Sequence, residues 1–274
     1  MPGAKGLDRK EIEAQGVSIL KDFDLYRLPI EPFEIVHRER IKLAPGGYDG
    51  CFDARLEYHA GKRQFLLFYA DERTDRTEGR IRFTIGHELG HYYLPEHRQY
   101  LMSGVWHGSH TGFVSDNRIE QEADQFSAAL LMPADLFREA VARFRQRVCT
   151  LKELKTLADR LKVSITAAAI RYCELDIEAS SVVLSRDGVV IFHVPSYDMR
   201  SLGFRYVGQG TRVPWHSKTT SLLGDSHKDF AEGEIDGEVW YENRGGRLWE
   251  EAMKLGSTGL VITYLTHEED DEGD

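Results

Sequence analysis

The sequence has few cysteines and no long apolar segment. Its 274 residues include three cysteines, Cys51, Cys149 and Cys173, which lie far apart and form no C-x-x-C pair. We therefore predict neither a disulfide framework nor a thiolate zinc site. No segment approaches the ~20 apolar residues that a membrane-spanning helix needs, and the N-terminus lacks an apolar stretch of signal-peptide length. Because free thiols are typical of a reducing compartment, we predict a cytoplasmic protein without a membrane partner.

An excess of positive charge is also absent. The formal net charge is −10 at pH 7, and six acidic groups fall in the final stretch T-H-E-E-D-D-E-G-D, which leaves −4 for the rest of the chain. We interpret residues 267–274 as an acidic disordered tail without a function of its own. A mildly acidic body argues against non-specific affinity for nucleic acid or anionic membranes.

One segment is rich in histidine and glutamate. Residues 84–97 read T-I-G-H-E-L-G-H-Y-Y-L-P-E-H. We predict a helix that begins near residue 77 or 78 and ends at Leu94, because Pro95 disfavours helical geometry in the residue before it. Apolar residues recur at helical spacing and form its predicted buried stripe: Ile81, Ile85, Leu89 and Tyr92.

The H-E-L-G-H part of this helix predicts a metal site. Residues four apart lie on one helical face, so His87 and His91 can direct ring nitrogens to a single ion. Glu88 lies one position round the helix, where it can act as general base on a water molecule. Gly86 and Gly90 are poor helix residues, so their presence indicates a packing or access requirement.

A catalytic zinc ion needs a third protein ligand. His97 gives a metzincin-like spacing, but Leu94 stands where those proteins place a glycine, and leucine does not readily adopt the left-handed conformation. The segment R-I-E-Q-E-A-D-Q-F-S-A-A-L-L-M-P offers Glu120 and Asp124 on one predicted helical face. We favour Glu120 as the ligand, with Asp124 accepting the second ring N–H of a ligand histidine. Glu122 points to another face and is the weaker choice.

Small residues on the second helix support this choice. Ala123 and Ser127 share the side of Glu120 and would let this helix approach the histidine helix closely. The runs C-F-D-A-R-L-E-Y-H and Q-F-L-L-F-Y-A, on either side of A-G-K, predict a β-hairpin on which the histidine helix can pack.

The two motifs together resemble the ImmA/IrrE family of metallopeptidases, over roughly residues 15 to 175. The resemblance implies zinc held by His87, His91 and Glu120, one ion per chain, with Glu88 as catalytic base. It also implies a substrate, a helix-turn-helix (XRE-like) transcriptional repressor whose cleavage relieves repression in a stress or mobile-element response. Two imidazoles and a carboxylate also suit manganese, iron or cobalt.

Residues 98–116 are rich in glycine, serine and histidine, and we predict a loop there. Tyr100, His107 and His110 in this loop are candidates for oxyanion or substrate contacts. The remaining histidines, including His193, lack ligand spacing, and we interpret them as structural or surface residues.

The predicted fold class is α+β, with a zincin-like core made of a small sheet, the H-E-x-x-H helix and the glutamate helix. We predict a peptidase domain at 1–147, a helix-turn-helix-like pair at 148–178, and a small α/β sensor or interaction domain at 179–266, followed by the tail. The last domain is expected to contain a helix around Gly246 to Lys254.

The leading functional hypothesis is a zinc-dependent endopeptidase. One alternative is a metal-containing interaction module, or the toxin of a toxin–antitoxin pair, that binds a repressor with little proteolysis. Another is a DNA-binding regulator, since L-K-T-L-A-D-R-L-K-V-S-I-T-A-A-A-I-R-Y resembles a helix-turn-helix. Its second helix offers only Arg171 as a cation, and phosphate contacts dominate DNA affinity, so direct DNA binding is disfavoured.

Overall fold

The computed structural model describes residues 7–48, 51–71, 77–104, 118–143, 149–242 and 244–267. Within them the chain forms ten α-helices and two β-sheets, so the predicted α+β class is confirmed. The chain divides into two compact units. The N-terminal unit comprises Met1–Ala140 and Ala158–Ser164, and the C-terminal unit comprises Val141–Leu157 and Ile165–Asp274. The three-domain division drawn from the sequence stays a prediction.

The helices and strands have the following bounds. The helices are α1 (Arg9–Asp22), α2 (Pro32–Arg38), α3 (Glu78–Tyr93), α4 (Pro95–Met102), α5 (Arg118–Leu131), α6 (Ala134–Ala142), α7 (Leu151–Leu161), α8 (Ile165–Glu174), α9 (Tyr197–Ser201) and α10 (Lys218–Leu223). The strands are β1 (Lys42–Gly46), β2 (Ala54–His59), β3 (Gln64–Ala70), β4 (Ser180–Arg186), β5 (Val189–Pro195), β6 (Phe230–Asp236), β7 (Arg247–Lys254) and β8 (Leu260–His267). Among the helices of the described residues, none combines the length and apolar character that a membrane crossing requires.

The N-terminal unit contains a three-stranded sheet in the order β1-β3-β2. Strands β2 and β3 are antiparallel, which confirms the predicted hairpin, and β1 pairs with β3 in parallel. Helix α3 contacts β2 and β3, and the rings of Phe65 and Tyr92 meet edge to face at 5.0 Å. The sheet therefore supports the helix that carries the H-E-L-G-H motif.

The predicted loop over residues 98–116 is wrong at its beginning. The chain enters α4 immediately after α3, with Pro95 at its first turn. Proline ends one helix because its ring restricts the residue before it, but it also suits the first turn of the next helix, where its missing N–H is not needed. Tyr100 therefore lies on a helix, and its neighbour Leu101 is buried.

The C-terminal unit contains a five-stranded antiparallel sheet in the order β5-β4-β8-β7-β6. Helix α8 contacts β4 and β5, and α10 contacts β6 and β7. A cluster of buried apolar and aromatic side chains forms part of its core: Val183, Val190, Met199, Phe204, Val207, Ile235, Trp240, Tyr241, Leu248 and Leu265.

The helix predicted around Gly246 to Lys254 is wrong, because this segment is strand β7, paired on both sides. Adjacent glutamates are unusual inside a sheet, yet Glu250 and Glu251 are buried. Glu250 accepts hydrogen bonds from the backbone N–H groups of Lys218 and Thr219 at the start of α10. Glu251 accepts one from the N–H of Leu151 at the start of α7. Both carboxylates therefore accept hydrogen bonds from backbone N–H groups that have no partner within their own helix, at positions where anions are favoured.

The half-buried His193 belongs to a polar chain in the C-terminal unit. Its Nδ1 accepts from the N–H of Val207 at 3.2 Å, and its Nε2 lies 3.2 Å from the Tyr241 hydroxyl. That hydroxyl lies 2.6 Å from Ser181 Oγ. Burial, assisted by the charge of Arg200, lowers the pKa of His193 to about 4. Protonation would place a hydrogen on the nitrogen that accepts from Val207, so the fold requires the neutral ring.

This geometry predicts a pH-dependent stability of the C-terminal unit. The unfolded chain, with a histidine pKa of about 6.5, binds more protons than the folded one between pH 6.5 and about 4. The contribution of His193 is therefore complete above pH 6.5 and falls by roughly 3 kcal/mol as the pH drops to 4. Burial raises the pKa of Glu251 to about 7, so the folded chain binds more protons there than the unfolded one. The contribution of Glu251 to stability therefore rises as the pH falls, opposite to that of His193. Urea unfolding at pH 7 and pH 5, followed by tryptophan fluorescence, should show less acid destabilisation in His193→Gln than in wild type. Equal pH dependence in the two proteins would contradict this assignment.

Candidate metal centre

Helix α3 carries His87, Glu88 and His91 within two turns. It begins after Thr77, whose side chain accepts from the N–H of Arg80 at 3.3 Å. It ends at Tyr93, one residue before the predicted end at Leu94, which is the C-cap. Every residue from 84 to 92 is buried, including both histidines and Glu88. The buried surface is therefore wider than the apolar stripe predicted for this helix, because a second helix covers the polar face.

That second helix is α5, and small residues set its distance from α3. A Cβ added at Gly86 would lie 2.5 Å from Ser127 Oγ, and one added at Gly90 would lie 3.1 Å from the Cα of Ala123. Ser127 Oγ also donates to the carbonyl of Phe83 at 2.7 Å. The two glycines thus allow the close helix contact that their presence indicated.

Three donor groups converge between these helices. The Nε2 atoms of His87 and His91 are 3.0 Å apart. The carboxylate of Glu120 places one oxygen 3.3 Å from Nε2 of His87 and the other 3.4 Å from Nε2 of His91. In the part of the chain that the structure describes, these residues form the one group of potential ligands compact enough for a metal ion. His87, His91 and Glu120 could therefore hold a metal.

The donor separations fit zinc. Bonds of 2.0–2.1 Å arranged tetrahedrally separate their donor atoms by about 3.3 Å, close to the distances found among these nitrogens and oxygens. Two imidazoles and one carboxylate also leave a fourth position open, the arrangement typical of catalytic rather than structural zinc sites.

Asp124 orients one of the three potential ligands. Its Oδ1 lies 2.8 Å from Nδ1 of His87, as predicted for a carboxylate that accepts the second ring N–H. Nε2 is thereby directed toward His91 and Glu120. Burial alone would lower the pKa of His87, but hydrogen bonds with Asp124 and Glu120 raise it to about 10. The negative charge that favours a proton here equally favours a metal cation in its place.

Glu88 lies beside the donor group rather than in it. Its side chain is 1% exposed, and its charge is close enough to His87 to raise the pKa of that ring. A buried carboxylate next to two potential metal ligands can accept a proton from a water molecule held at the fourth position.

The sequence did not predict the contact that His97 makes. Its Nε2 lies 2.9 Å from Glu122 Oε2, and both residues are buried. His97 was weighed as a ligand and Glu122 was assigned to another helical face, but their pairing was missed. A signal was available, because Glu122 lies four residues before Phe126 on an otherwise apolar face and so required a buried partner.

The candidates for oxyanion or substrate contacts are not part of the donor group. Tyr100 lies on α4 with 40% of its side chain exposed. His107 and His110 fall outside the residues that the structure describes. Their roles stay predictions.

Comparison with known protein families bears on this geometry. A family model described as the IrrE N-terminal-like domain, of a peptidase family, matches residues 72–172. The match supports the resemblance of this chain to the ImmA/IrrE family. The matched segment contains α3 and α5, and hence all three donors together with Glu88 and Asp124.

Other comparisons concern the fold. A solved structure described as a Mycobacterium tuberculosis transcriptional regulator is similar to this chain, with a TM-score of 0.58 and 12% sequence identity. The similarity covers 94% of this chain and 76% of that chain. At this identity the likeness shows a shared fold. A search of curated proteins found no match.

The contact between α3 and α5 generates a testable prediction. Gly86→Ala places a methyl group against Ser127, which is fully buried, so we expect a loss of about 1–3 kcal/mol in stability together with weaker zinc binding. Adding Ser127→Ala removes the closest atom and should restore part of both. Denaturant unfolding and zinc titration measure the two effects.

A matched control lies on α1. A Cβ at Gly16 would meet its nearest neighbour, the backbone N of Leu130 on α5, at an ordinary 3.6 Å. Gly16→Ala should therefore leave zinc binding unchanged and raise stability by about 0.5–1 kcal/mol, because alanine favours helix. If Gly86→Ala proves as stable as Gly16→Ala, glycine at 86 does not set the helix separation.

Proposed function

We propose that the protein is a zinc-dependent endopeptidase with a zincin-like core. The observation that carries the proposal is the convergence of His87, His91 and Glu120 at separations suited to tetrahedral zinc, with Glu88 beside them. The match to a peptidase family model supports it. The small sheet under α3 and the glutamate on α5 are the elements that the zincin-like arrangement requires.

The roles of the residues follow from their positions. Zinc, when bound, supplies Lewis acidity that polarises the scissile carbonyl and lowers the pKa of a water molecule. The carboxylate of Glu88 takes the proton from that water as its oxygen attacks the carbonyl carbon, and then delivers the proton to the leaving amine nitrogen. Asp124 keeps the ring of His87 in the tautomer that leaves Nε2 free for the metal.

We propose a helix-turn-helix (XRE-like) transcriptional repressor as the substrate, cleaved in the cytoplasm to relieve repression in a stress or mobile-element response. The support is the family, together with a fold likeness to a chain described as a transcriptional regulator. The interaction module or toxin remains the alternative in which the metal site is kept but cleavage is minor.

The DNA-binding alternative loses support in the C-terminal unit. Arg171, the one cation of the would-be recognition helix, is 2% exposed. Several other residues of α8 are buried, and the helix contacts β4 and β5. A recognition helix must present cations and polar groups to a groove, and this helix instead packs against its own sheet.

The decisive experiment uses Glu88→Gln and a purified helix-turn-helix (XRE-like) repressor from the same organism. We expect the variant to keep about one zinc per chain, since Glu88 is not among the donors, and to lose cleavage by about 10²–10⁴-fold through loss of the base. Cleavage is followed by gel electrophoresis and mass spectrometry of the fragments.

Glu78→Gln is the matched control, because Glu78 is an exposed glutamate on the same helix. It should cleave as the wild type does. Undiminished cleavage by Glu88→Gln would refute the assigned base. A zinc-loaded wild type that binds the repressor without cutting it would favour the interaction module.

A further inference from the structure

His97 lies against the metal centre without belonging to it. Its side chain is 1% exposed, and its ring centroid is 5.1 Å from that of His91, at an interplanar angle of 42°. The compact donor group contains His87, His91 and Glu120 but not His97. His97 therefore forms part of the wall against which the ring of His91 packs.

One hydrogen bond fixes the His97 ring. Nε2 donates to Glu122 Oε2 at 2.9 Å, whereas the buried Nδ1 forms no hydrogen bond with any residue that the structure describes. Loss of the Glu122 carboxylate would therefore leave the orientation of this ring to packing alone.

Glu122 is itself held in place at the start of α5. Arg118 lies 3.3 Å from Glu122 Oε1 and 2.8 Å from Glu96 Oε2. Since Glu96 and His97 are neighbours on α4, two successive residues of α4 are bound to the first turns of α5. A buried carboxylate with two such partners is stable in one position.

These contacts link His91 to the two helices on which its neighbours lie, α4 and α5. The ring of His91 packs on His97, His97 binds Glu122, and Glu122 is on the same helix as Glu120, whose oxygen lies 3.4 Å from Nε2 of His91. Asp124 gives His87 a comparable support from the other side. On α4, His97 contributes a packing contact to the ring of His91.

We propose that His97 and Glu122 form a positioning pair that holds the ring of His91 in its metal-binding orientation. The inference rests on the metal site of the proposed function but not on peptide hydrolysis. Residues that orient metal ligands typically change metal affinity by about 10–100-fold when they are removed, so His97 and Glu122 should matter to that extent without being ligands.

The test is competitive titration of the metal-free protein with zinc and cobalt(II) against a chelator. We expect His97→Ala and Glu122→Ala each to raise the metal Kd by about 10–100-fold, and the double variant to be little worse than either single one. His97→Gln, which retains a donor near the position of Nε2, and Glu122→Gln, which retains an acceptor, should lose less. His97→Phe keeps the ring volume without the hydrogen bond and should resemble Glu122→Ala.

If the role of His97 were purely structural, His97→Ala would lower the melting temperature without changing the metal Kd. Leu101→Ala, at another buried position of α4, is the control: it should lower the melting temperature of the metal-free protein while leaving the Kd unchanged. The visible spectrum of the cobalt(II) protein should be altered in His97→Ala but not in Leu101→Ala, because the ring of His97 packs on the ring of His91.

Two results would overturn the proposal. One is a wild-type Kd and cobalt spectrum in both His97→Ala and Glu122→Ala. The other is complete loss of metal in His97→Ala with retention in Glu120→Ala, which would make His97 a ligand. A wild-type protein that binds zinc normally but cleaves no repressor would refute the peptidase proposal while leaving this inference intact.

Discussion

The close contact between α3 and α5 is the constraint on which the metal centre depends. The two histidines are on one helix and Glu120 is on the other, so the three donors meet only because Gly86 and Gly90 face Ser127 and Ala123. A larger side chain at either glycine would separate the helices by a few tenths of an ångström or more. Helix-stabilising residues are therefore excluded from these two positions by geometry rather than by local preference.

This contact also concentrates ionisable groups in a buried space. Two imidazoles and the carboxylates of Glu88 and Glu122 are almost fully buried near Glu120 and Asp124. Burying unpaired carboxylates is costly, and the cost is reduced where a cation or a hydrogen-bond donor compensates each one. His97 and Arg118 compensate Glu122, whereas the negative charge around His87 and His91 is suited to a divalent ion. Metal binding and the stability of this helix pair are therefore coupled.

Much of this arrangement is predictable from local pattern, and the rest depends on burial. The spacing of His87 and His91, the hairpin, and the position of Glu120 and Asp124 on one helical face follow from helix and strand periodicity. Strand β7 does not, because burial of Glu250 and Glu251 depends on tertiary contacts with the N-termini of α10 and α7. The pairing of His97 with Glu122 was missed for the same reason: its residues are separated in sequence, and no local rule joins them.

X-ray absorption spectroscopy of the zinc-loaded protein tests the central claim most directly. The convergence of His87, His91 and Glu120 predicts a first shell of nitrogen and oxygen at about 2.0–2.1 Å, with the outer-shell scattering of two imidazole rings. Scattering from three imidazoles would place His97 in the coordination sphere, and a sulfur shell at about 2.3 Å would implicate a cysteine. Either result would contradict a site built by the contact of α3 with α5.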